Sequence, residues 1–276
     1  MGRHHGDSRA LNLRGIITLT TDFGTSDSFV GTMKGVILGI CPDVQLVDIC
    51  HDVPAQDVRT GALRLAAAVP FFPRGTIHLA VVDPGVGSSR RPIAVENDEQ
   101  WFVGPDNGLL SLALQRLGRR WRGVELSEPR FWLAGVSQTF HGRDVFAPVA
   151  AHLAAGVPLS DLGRPVDPII ELTLDTPRWV GDCLRGEVID VDHFGNLVTN
   201  IDIQELRGFR VRAIQIANAI IDELSSSYLP SKPLVAIFSS DGRLEIAAPG
   251  GSAARLLGVG IGEPMEVCCE GEPPAS

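Results

Sequence analysis

No apolar run in this 276-residue chain reaches membrane-spanning length, because Gly, Pro or a charge interrupts each rich window. A membrane partner is therefore not expected. There is no dense Lys/Arg block either: 24 basic against 33 acidic residues leave a net charge of −9, which disfavours binding to a phosphate backbone, so nucleic acid is not an expected partner. No GxGxxG is present, and nothing points to a pyrophosphate cofactor. Asp22, Asp27, His51, Asp52, Asp83 and His141 are metal-ligand types, but HxH, HExxH and DxDxDG spacings are absent. The expectation is no cofactor and no metal. The five cysteines (Cys41, Cys50, Cys183, Cys268, Cys269) show no CxxC spacing and read as buried or spectator thiols of a reducing cytosol. Residues 1–15 lack an apolar h-region and read as a polar leader, which makes a cytoplasmic setting the expectation. Internal repeats and low-complexity tracts are also missing.

What remains is a globular composition, 44% apolar and 21% charged, with length enough for one large domain or two ordinary ones. Residues 16–165 read as an α/β domain. Strands are expected at 16–20, 44–49 and 76–82, a hairpin at 92–95 and 100–103, and helices at 28–40, 57–69, 109–117 and 145–155. Prolines 158, 165, 168 and 177 fall in a stretch of little periodicity, read as a linker centred on 166–182. Residues 183–276 then carry six short β-branched or alternating runs separated by Gly and Pro turns, the pattern of a small barrel or sandwich.

Two glycine-rich turns concentrate ionisable groups. In VVDPGVGSSRR, four apolar residues run into Asp83-Pro84-Gly85, which is how a buried strand delivers a carboxylate to the rim of a sheet, and Arg90 follows in the same loop. In TFHGRDVFAP, His141 precedes Gly142, Arg143 and Asp144. Open α/β sheets bind ligands at that rim, so Asp83, Arg90 and His141 meet in one pocket if both turns share an edge. Asp22 ends the first strand in TTDFGTSDSF, where a carboxylate can accept from two ribose hydroxyls, and Asp27 precedes the next helix. In the β region, Asp192-His193-Phe194-Gly195-Asn196 and Ser239-Ser240-Asp241-Gly242 are turns at strand ends. Asn196 offers the paired donor and acceptor that suit an adenine edge.

The order of these segments carries more than any one of them. TLTTDFGTSDSFVGTMKG, HDVPAQDV, VVDPGVGSSRR, FVGPDNGLL, TFHGRDVFAPVAA and DHFGNLVTNI resemble the S-adenosyl-L-methionine hydroxide adenosyltransferase family, relatives of the fluorinase and chlorinase, from about Ile16 to Val267. The resemblance implies an α/β, sandwich-like N-terminal domain and a small C-terminal β-barrel. It also implies a homotrimer with sites between the N domain of one subunit and the C domain of the next. The family reaction is S-adenosylmethionine (SAM) plus water to adenosine plus methionine. The family triad falls on Asp83, Arg90 and His141. By the same resemblance Asp22 matches the ribose carboxylate, Asp27 a neighbouring one and Phe140 an aromatic wall. Asp192 and Ser240 match positions at the methionine end, and Asn196 an adenine contact. Gln56 stands where the halogenases have Trp or Phe, and Asp241 where the fluorinase has Arg. A fluorinase would carry Tyr for Asp83 and Ser for Gly142, so the chain sides with the hydroxide branch. The rival readings are a chlorinase-like halogenase, a metal-dependent hydrolase and a non-catalytic nucleoside or SAM sensor.

Overall fold

The computed structural model describes residues 15–98, 100–118, 120–228 and 231–271; positions 1–14 of the expected leader lie outside these. Two compact units meet in the sequence between Leu172 and Thr173.

The first unit is built on a seven-stranded sheet. Its strands are β1 (Ile16–Thr21), β2 (Gln45–Cys50), β3 (Ile77–Val81), β4 (Pro92–Asn97), β5 (Trp101–Pro105), β6 (Trp121–Leu126) and β7 (Gly163–Val166). Spatial order is β2-β1-β3-β5-β4-β6-β7, parallel from β2 to β5 and antiparallel beyond. The central strands are buried on both faces, hence their unbroken apolar runs rather than alternation. Helices α1 (Phe29–Ile40), α2 (Val58–Ala68), α3 (Ser111–Leu117) and α4 (Ala147–Ala154) complete the unit. Met33 and Ile37 of α1 and Val149 and Ala150 of α4 share one core with Ile17, Leu19, Leu79 and Val81. Each such Leu or Ile contributes about 1.5–3 kcal/mol on burial, and that rigidity is what the loops above the sheet inherit.

Two local features explain boundaries. Asp57 starts α2 because its side chain accepts from the otherwise orphaned Thr60 N–H. Strand β7 lies in the proline-rich stretch where the sequence pattern predicts no element, and β6 is likewise an addition. The chain runs from β1 to β2 on one side and then to β3 on the other side of β1. That reversal makes the carboxyl ends of β1 and β3 the topological switch point, where α/β sheets form their ligand crevice. Thr21 pairs with Val81 there, so Asp22 and the loop bearing Asp83 leave the sheet side by side.

A buried histidine in this sheet gives the unit an acid sensitivity. Gln100 donates to Val69 O and Phe72 O, so its Oε1 is left to accept from His78 Nε2 at 3.1 Å, and Thr18 Oγ1 donates to His78 Nδ1 at 2.8 Å. Burial pushes the His78 pKa from 6.5 down to about 4, with the Gln100 bond opposing. From pH ~6.5 down to ~4 the unfolded chain binds a proton that the folded chain refuses. Stability is expected to fall by about 3 kcal/mol over that range from this group. Urea midpoints at pH 7 and pH 5, for the natural chain and for His78→Gln, check this; equal pH dependence in the two would refute it.

The second unit is barrel-like, and its strands pair antiparallel. Its strands are β8 (Arg178–Val180), β9 (Cys183–Val191), β10 (Leu197–Asp202), β11 (Arg210–Ile216), β12 (Ala219–Ile221), β13 (Val235–Phe238), β14 (Arg243–Ala247) and β15 (Pro264–Glu270), with α5 (Ala253–Leu257) between the last two. The order is β12-β11-β15-β9-β10-β14-β13, with β8 paired to β9. Leu184, Val188, Leu197, Ile201, Ile214, Leu244, Ile246 and Val267 fill the interior. The α/β-plus-β-barrel expectation is met, while β8, β12 and α5 are elements the pattern does not announce.

One expectation is overturned. Cys183 and Cys268 are not spectator thiols; they form a disulfide between β9 and β15. The two strands bring them directly opposite one another, a consequence of a register that no spacing rule reveals. Cys269, one residue on, points to the other face and is buried, as strand alternation requires.

Candidate active site

Asp83 leaves β3 into two successive tight turns. Val86 N–H donates to Asp83 O, and Ser88 N–H and Oγ–H both donate to Gly85 O. Ser88 Oγ then accepts from Arg90 N–H. The loop thus doubles back and lays Arg90 along Asp83. Arg90 Nε donates to both carboxylate oxygens at 2.9 Å, and Nη2 donates to Oδ2. The side chains are 5% and 9% exposed, so this is a desolvated bidentate pair rather than a surface ion pair. The guanidinium carbon also lies 5.1 Å from the Phe146 ring centre.

His141 arrives from the other loop. It precedes a π-helical turn over Gly142–Phe146 that runs directly into α4. Arg90 Nη2 lies 2.9 Å from His141 Nδ1. A guanidinium only donates, so Nδ1 is the acceptor and the ring proton sits on Nε2. Burial holds the imidazole pKa below its ordinary value; the Arg90 cation adds to this and the carboxylates of Asp83 and Asp144 oppose it. The two loops interlock at Gly87, whose φ of +76° only glycine adopts freely and whose added Cβ would stand 2.5 Å from Gln138 O. The triad expected from sequence is therefore assembled within the first unit.

Asp144 does not cap α4. It lies inside the π turn, accepts from Ser137 N–H at 2.8 Å and from Arg143 Nε at 2.6 Å, and so pins the 133–140 loop. Burial pushes its pKa up, but the bonds from Arg143 and Ser137 hold it below the ordinary range. Gly142 is boxed in: a Cβ would meet Phe140 at 3.2 Å and Met33 Sδ and Phe23 at 3.3 Å.

Asp22 projects from the end of β1 beside this triad loop, its Oδ2 accepting from Gln56 N–H at 2.8 Å. Gln56 holds a φ of +66°, strained for a side-chain-bearing residue. Phe140 packs edge-to-face with Phe23 and Phe29, at 5.7 and 5.2 Å between ring centres. Arg143 lies over the Phe140 ring at 5.2 Å, so a cation already occupies one of its faces. Asp27 is exposed and lines a separate open groove of about 490 Å3 with Lys34, Asp48 and His51.

The remaining candidates lie in the second unit. Asp192 Oδ1 accepts from Phe194 and Asn196 N–H, and Oδ2 accepts from Asn196 Nδ2 at 2.8 Å, which ties the turn to itself and holds the buried Asn196 side chain. Gly195 seals this turn against α5, since a Cβ there would stand 2.0 Å from Ser252 Oγ. Asn196 lines a groove of about 740 Å3 with Phe194, Tyr228, Arg255 and residues 248–251. Tyr228 OH donates to the buried Glu245 at 2.5 Å. That bond, with burial, pushes the phenol up to about 12. Burial raises the Glu245 carboxyl, against the Tyr228 bond and helped by Asp192 and Asp241. Ser240 is apart from Asn196 in sequence and exposed at the tip of the β13–β14 hairpin.

Sequence reasoning singled out neither Asn107 nor Tyr228. Asn107 Nδ2 donates to Val82 O at 2.9 Å, fixing the carbonyl that precedes Asp83, while Asp106 pairs with Arg91. The signal was the FVGPDNGLL segment, which enters the sequence reading only as one of the segments carrying the family resemblance. Among the described residues, the one close cluster of three metal-ligand types is Cys183, Glu266 and Cys268, two of which are disulfide-bonded.

A family model described as the SAM hydroxide adenosyltransferase N-terminal domain matches residues 17–163, and its C-terminal counterpart matches 186–266. An (R)-S-adenosyl-L-methionine hydrolase of Salinispora tropica is 44% identical over 255 residues, 91% of this chain and 97% of that one. The enzyme of the same name from Thermus thermophilus is 38% identical, over 90% of this chain and 97% of that one. A fluorinase of Nocardia brasiliensis is 31% identical, covering 92% and 97%. The crystal structure of an uncharacterized conserved protein from Thermotoga maritima superposes with a TM-score of 0.85 at 35% identity, over 92% of this chain and 99% of that one.

Proposed function

The chain belongs to the SAM hydroxide adenosyltransferase family, and from that premise we propose that it hydrolyses S-adenosyl-L-methionine to adenosine and L-methionine. The observation that carries the reading is the Asp83–Arg90–His141 constellation, closed by the 2.9 Å contact between Arg90 Nη2 and His141 Nδ1.

Water attacks ribose C5′ in line with the sulfur. The O–C5′ bond forms, the S–C5′ bond breaks with its electron pair going to sulfur, and one proton is released. Bulk water has a pKa of about 15.7 and an ordinary carboxylate one of about 4, so Asp83 does not generate free hydroxide beforehand. It orients the water and takes the proton as the C–O bond forms. The geometry favours that division of roles. His141 Nδ1 is engaged by Arg90 and Nε2 already bears a proton, so the imidazole serves as a donor rather than a base. Arg90 keeps Asp83 in one rotamer. Positioning of this kind supplies about 7–11 kcal/mol in favourable systems. The sulfonium charge vanishes in the reaction, and a dry pocket favours its loss.

Asp22 takes the ribose hydroxyls, Asn196 an adenine edge, and Asp192 and Ser240 the methionine end, with Asp27 a neighbouring carboxylate and Phe140 an apolar wall. Asp192 Oδ2, with one bond to Asn196, retains a lone pair for a substrate ammonium. The family resemblance supports a cytoplasmic homotrimer in which a neighbouring subunit's C-terminal unit completes each site, with no cofactor or metal. The halogenase reading is weaker, because Asp83 and Gly142 stand where a fluorinase would have Tyr and Ser.

Incubation with SAM in oxygen-18 water is expected to yield adenosine two mass units heavier, with the label at O5′. Unlabelled adenosine, a 5′-halo product on adding chloride or fluoride, or no product at all would overturn the reading. Activity surviving EDTA separates it from a metal-dependent hydrolase.

A further inference from the structure

His51 is a buried histidine, 5% exposed, that the mechanism above leaves unused. It follows β2 and stands beside the end of β1. Its Nδ1 lies 2.8 Å from Thr21 Oγ1, and its backbone carbonyl accepts from Gly24 N–H at 2.9 Å. Thr21 and Gly24 bracket Asp22. The hydrogen positions follow from the partners. Thr21 Oγ1 already accepts from Phe23 N–H at 3.3 Å, so its own proton is free to point at Nδ1. The ring proton then sits on Nε2, which lies 3.0 Å from Asp48 Oδ1, a close electrostatic contact without the alignment of a hydrogen bond. Asp48 in turn accepts from Lys34 Nζ of α1 at 2.6 Å. Its carboxyl is pushed up by burial, but the Lys34 and His51 partners outweigh this and hold it below the usual range, so it stays charged.

The chain Lys34–Asp48–His51–Thr21 thus crosses from α1 through the edge strand β2 to the one turn that carries Asp22. An Asp–His–hydroxyl arrangement suggests nucleophilic catalysis, but Thr21 is fully buried in the sheet, so its hydroxyl cannot reach a substrate. What the arrangement does is fix a backbone. Asp22 needs that help: among the described residues its one recorded side-chain bond is to Gln56 N–H, from a strained residue in an exposed loop.

We propose that His51 is a positioning residue: it locks the Thr21–Gly24 turn and so holds the Asp22 carboxylate in the orientation that accepts the two ribose hydroxyls. This rests on the assignment of Asp22 to the ribose.

The test compares affinity for adenosine with that for 2′,3′-dideoxyadenosine, alongside KM and kcat for SAM, in four variants. His51→Leu removes the acceptor for Thr21. Thr21→Val removes the donor at nearly constant volume. His51→Asn keeps an acceptor near Nδ1. Asp22→Asn weakens the ribose contact directly. His51→Leu and Thr21→Val are expected to raise KM for SAM at least 10-fold and to lower the adenosine preference by a similar factor, with kcat changed less than about threefold. His51→Asn should restore most of the preference. A merely structural histidine would lower the melting temperature and leave the adenosine-to-dideoxyadenosine ratio untouched, and that result overturns the proposal. So does a fall in kcat at unchanged KM, which would put His51 in the chemistry. If His51→Leu does not fold, His51→Phe, which fills the place of the ring without an acceptor, decides by the same ratio, because Thr21→Val also removes the acceptor for Phe23 N–H. An unaltered ratio in Asp22→Asn would overturn the ribose assignment, and the proposal with it; an altered ratio there with none in Thr21→Val overturns the positioning role alone.

Discussion

Asp83→Asn is expected to slow adenosine formation by about 10²–10⁴-fold, the usual loss when a general base is removed, with KM for SAM changed little. Asparagine is nearly isosteric, so the loop of Asp83 to Arg90, held by the bonds at Gly85 and Ser88, should keep its path. The change falls on two functions at once. The amide cannot take the proton of the attacking water, and it presents one donor where Arg90 requires two acceptors. Arg90 would then be a largely desolvated cation with half its partner, free to shift away from His141 Nδ1. Arg90→Lys separates the two losses, because a point charge keeps the electrostatics but not the forked geometry. Single-turnover rates with rapid quench, measured beside equilibrium SAM binding, distinguish lost chemistry from lost affinity. A folded Asp83→Asn variant with undiminished turnover removes Asp83 from the mechanism.

The second large effect concerns stability. Cys183 and Cys268 close a loop of sequence separation 85. In the chain-entropy account such a cross-link disfavours the unfolded chain by roughly 4–5 kcal/mol, within the 0–5 kcal/mol range observed for disulfides. Reduction, or Cys183→Ser with Cys268→Ser, is therefore expected to lower the unfolding free energy of the C-terminal unit by several kcal/mol. Melting followed with and without reductant checks this; identical curves for the natural chain and the double variant would show that the bond contributes nothing. Cytosolic thiols are normally kept reduced, so the redox state of the chain recovered from cells tests the bond and the proposed cytoplasmic setting together.

Much of this was readable in the residues. Leu79 to Val82 running into Asp-Pro-Gly announces both a buried strand and a carboxylate at its rim, because apolar continuity and turn chemistry are local properties. The start of α2 at Asp57 and the hairpin at Pro92–Pro105 were legible for the same reason. What the residues did not reveal depends on contacts distant in sequence. The Arg90–His141 bond spans 51 positions and follows from two loops sharing the switch-point edge. The Cys183–Cys268 bond follows from strand register. Strand β6, Trp121-Arg122-Gly123-Val124-Glu125-Leu126, has no clean apolar–polar alternation, and only its pairing with β4 and β7 reveals it. Phe140 reads as an open aromatic wall until Arg143 is seen lying on it.

The close approach of Gly87 to Gln138 O constrains the lengths of two loops at once. With no room for even a methyl group between them, the acid-bearing segment and the imidazole-bearing segment are cut to each other's length. An insertion or deletion in either would prise the constellation open unless a compensating one arose in its counterpart. Side-chain substitutions around the constellation are therefore expected to be tolerated more readily than an unpaired change in the length of either loop, which stability measurements on single-residue insertions in each loop would check.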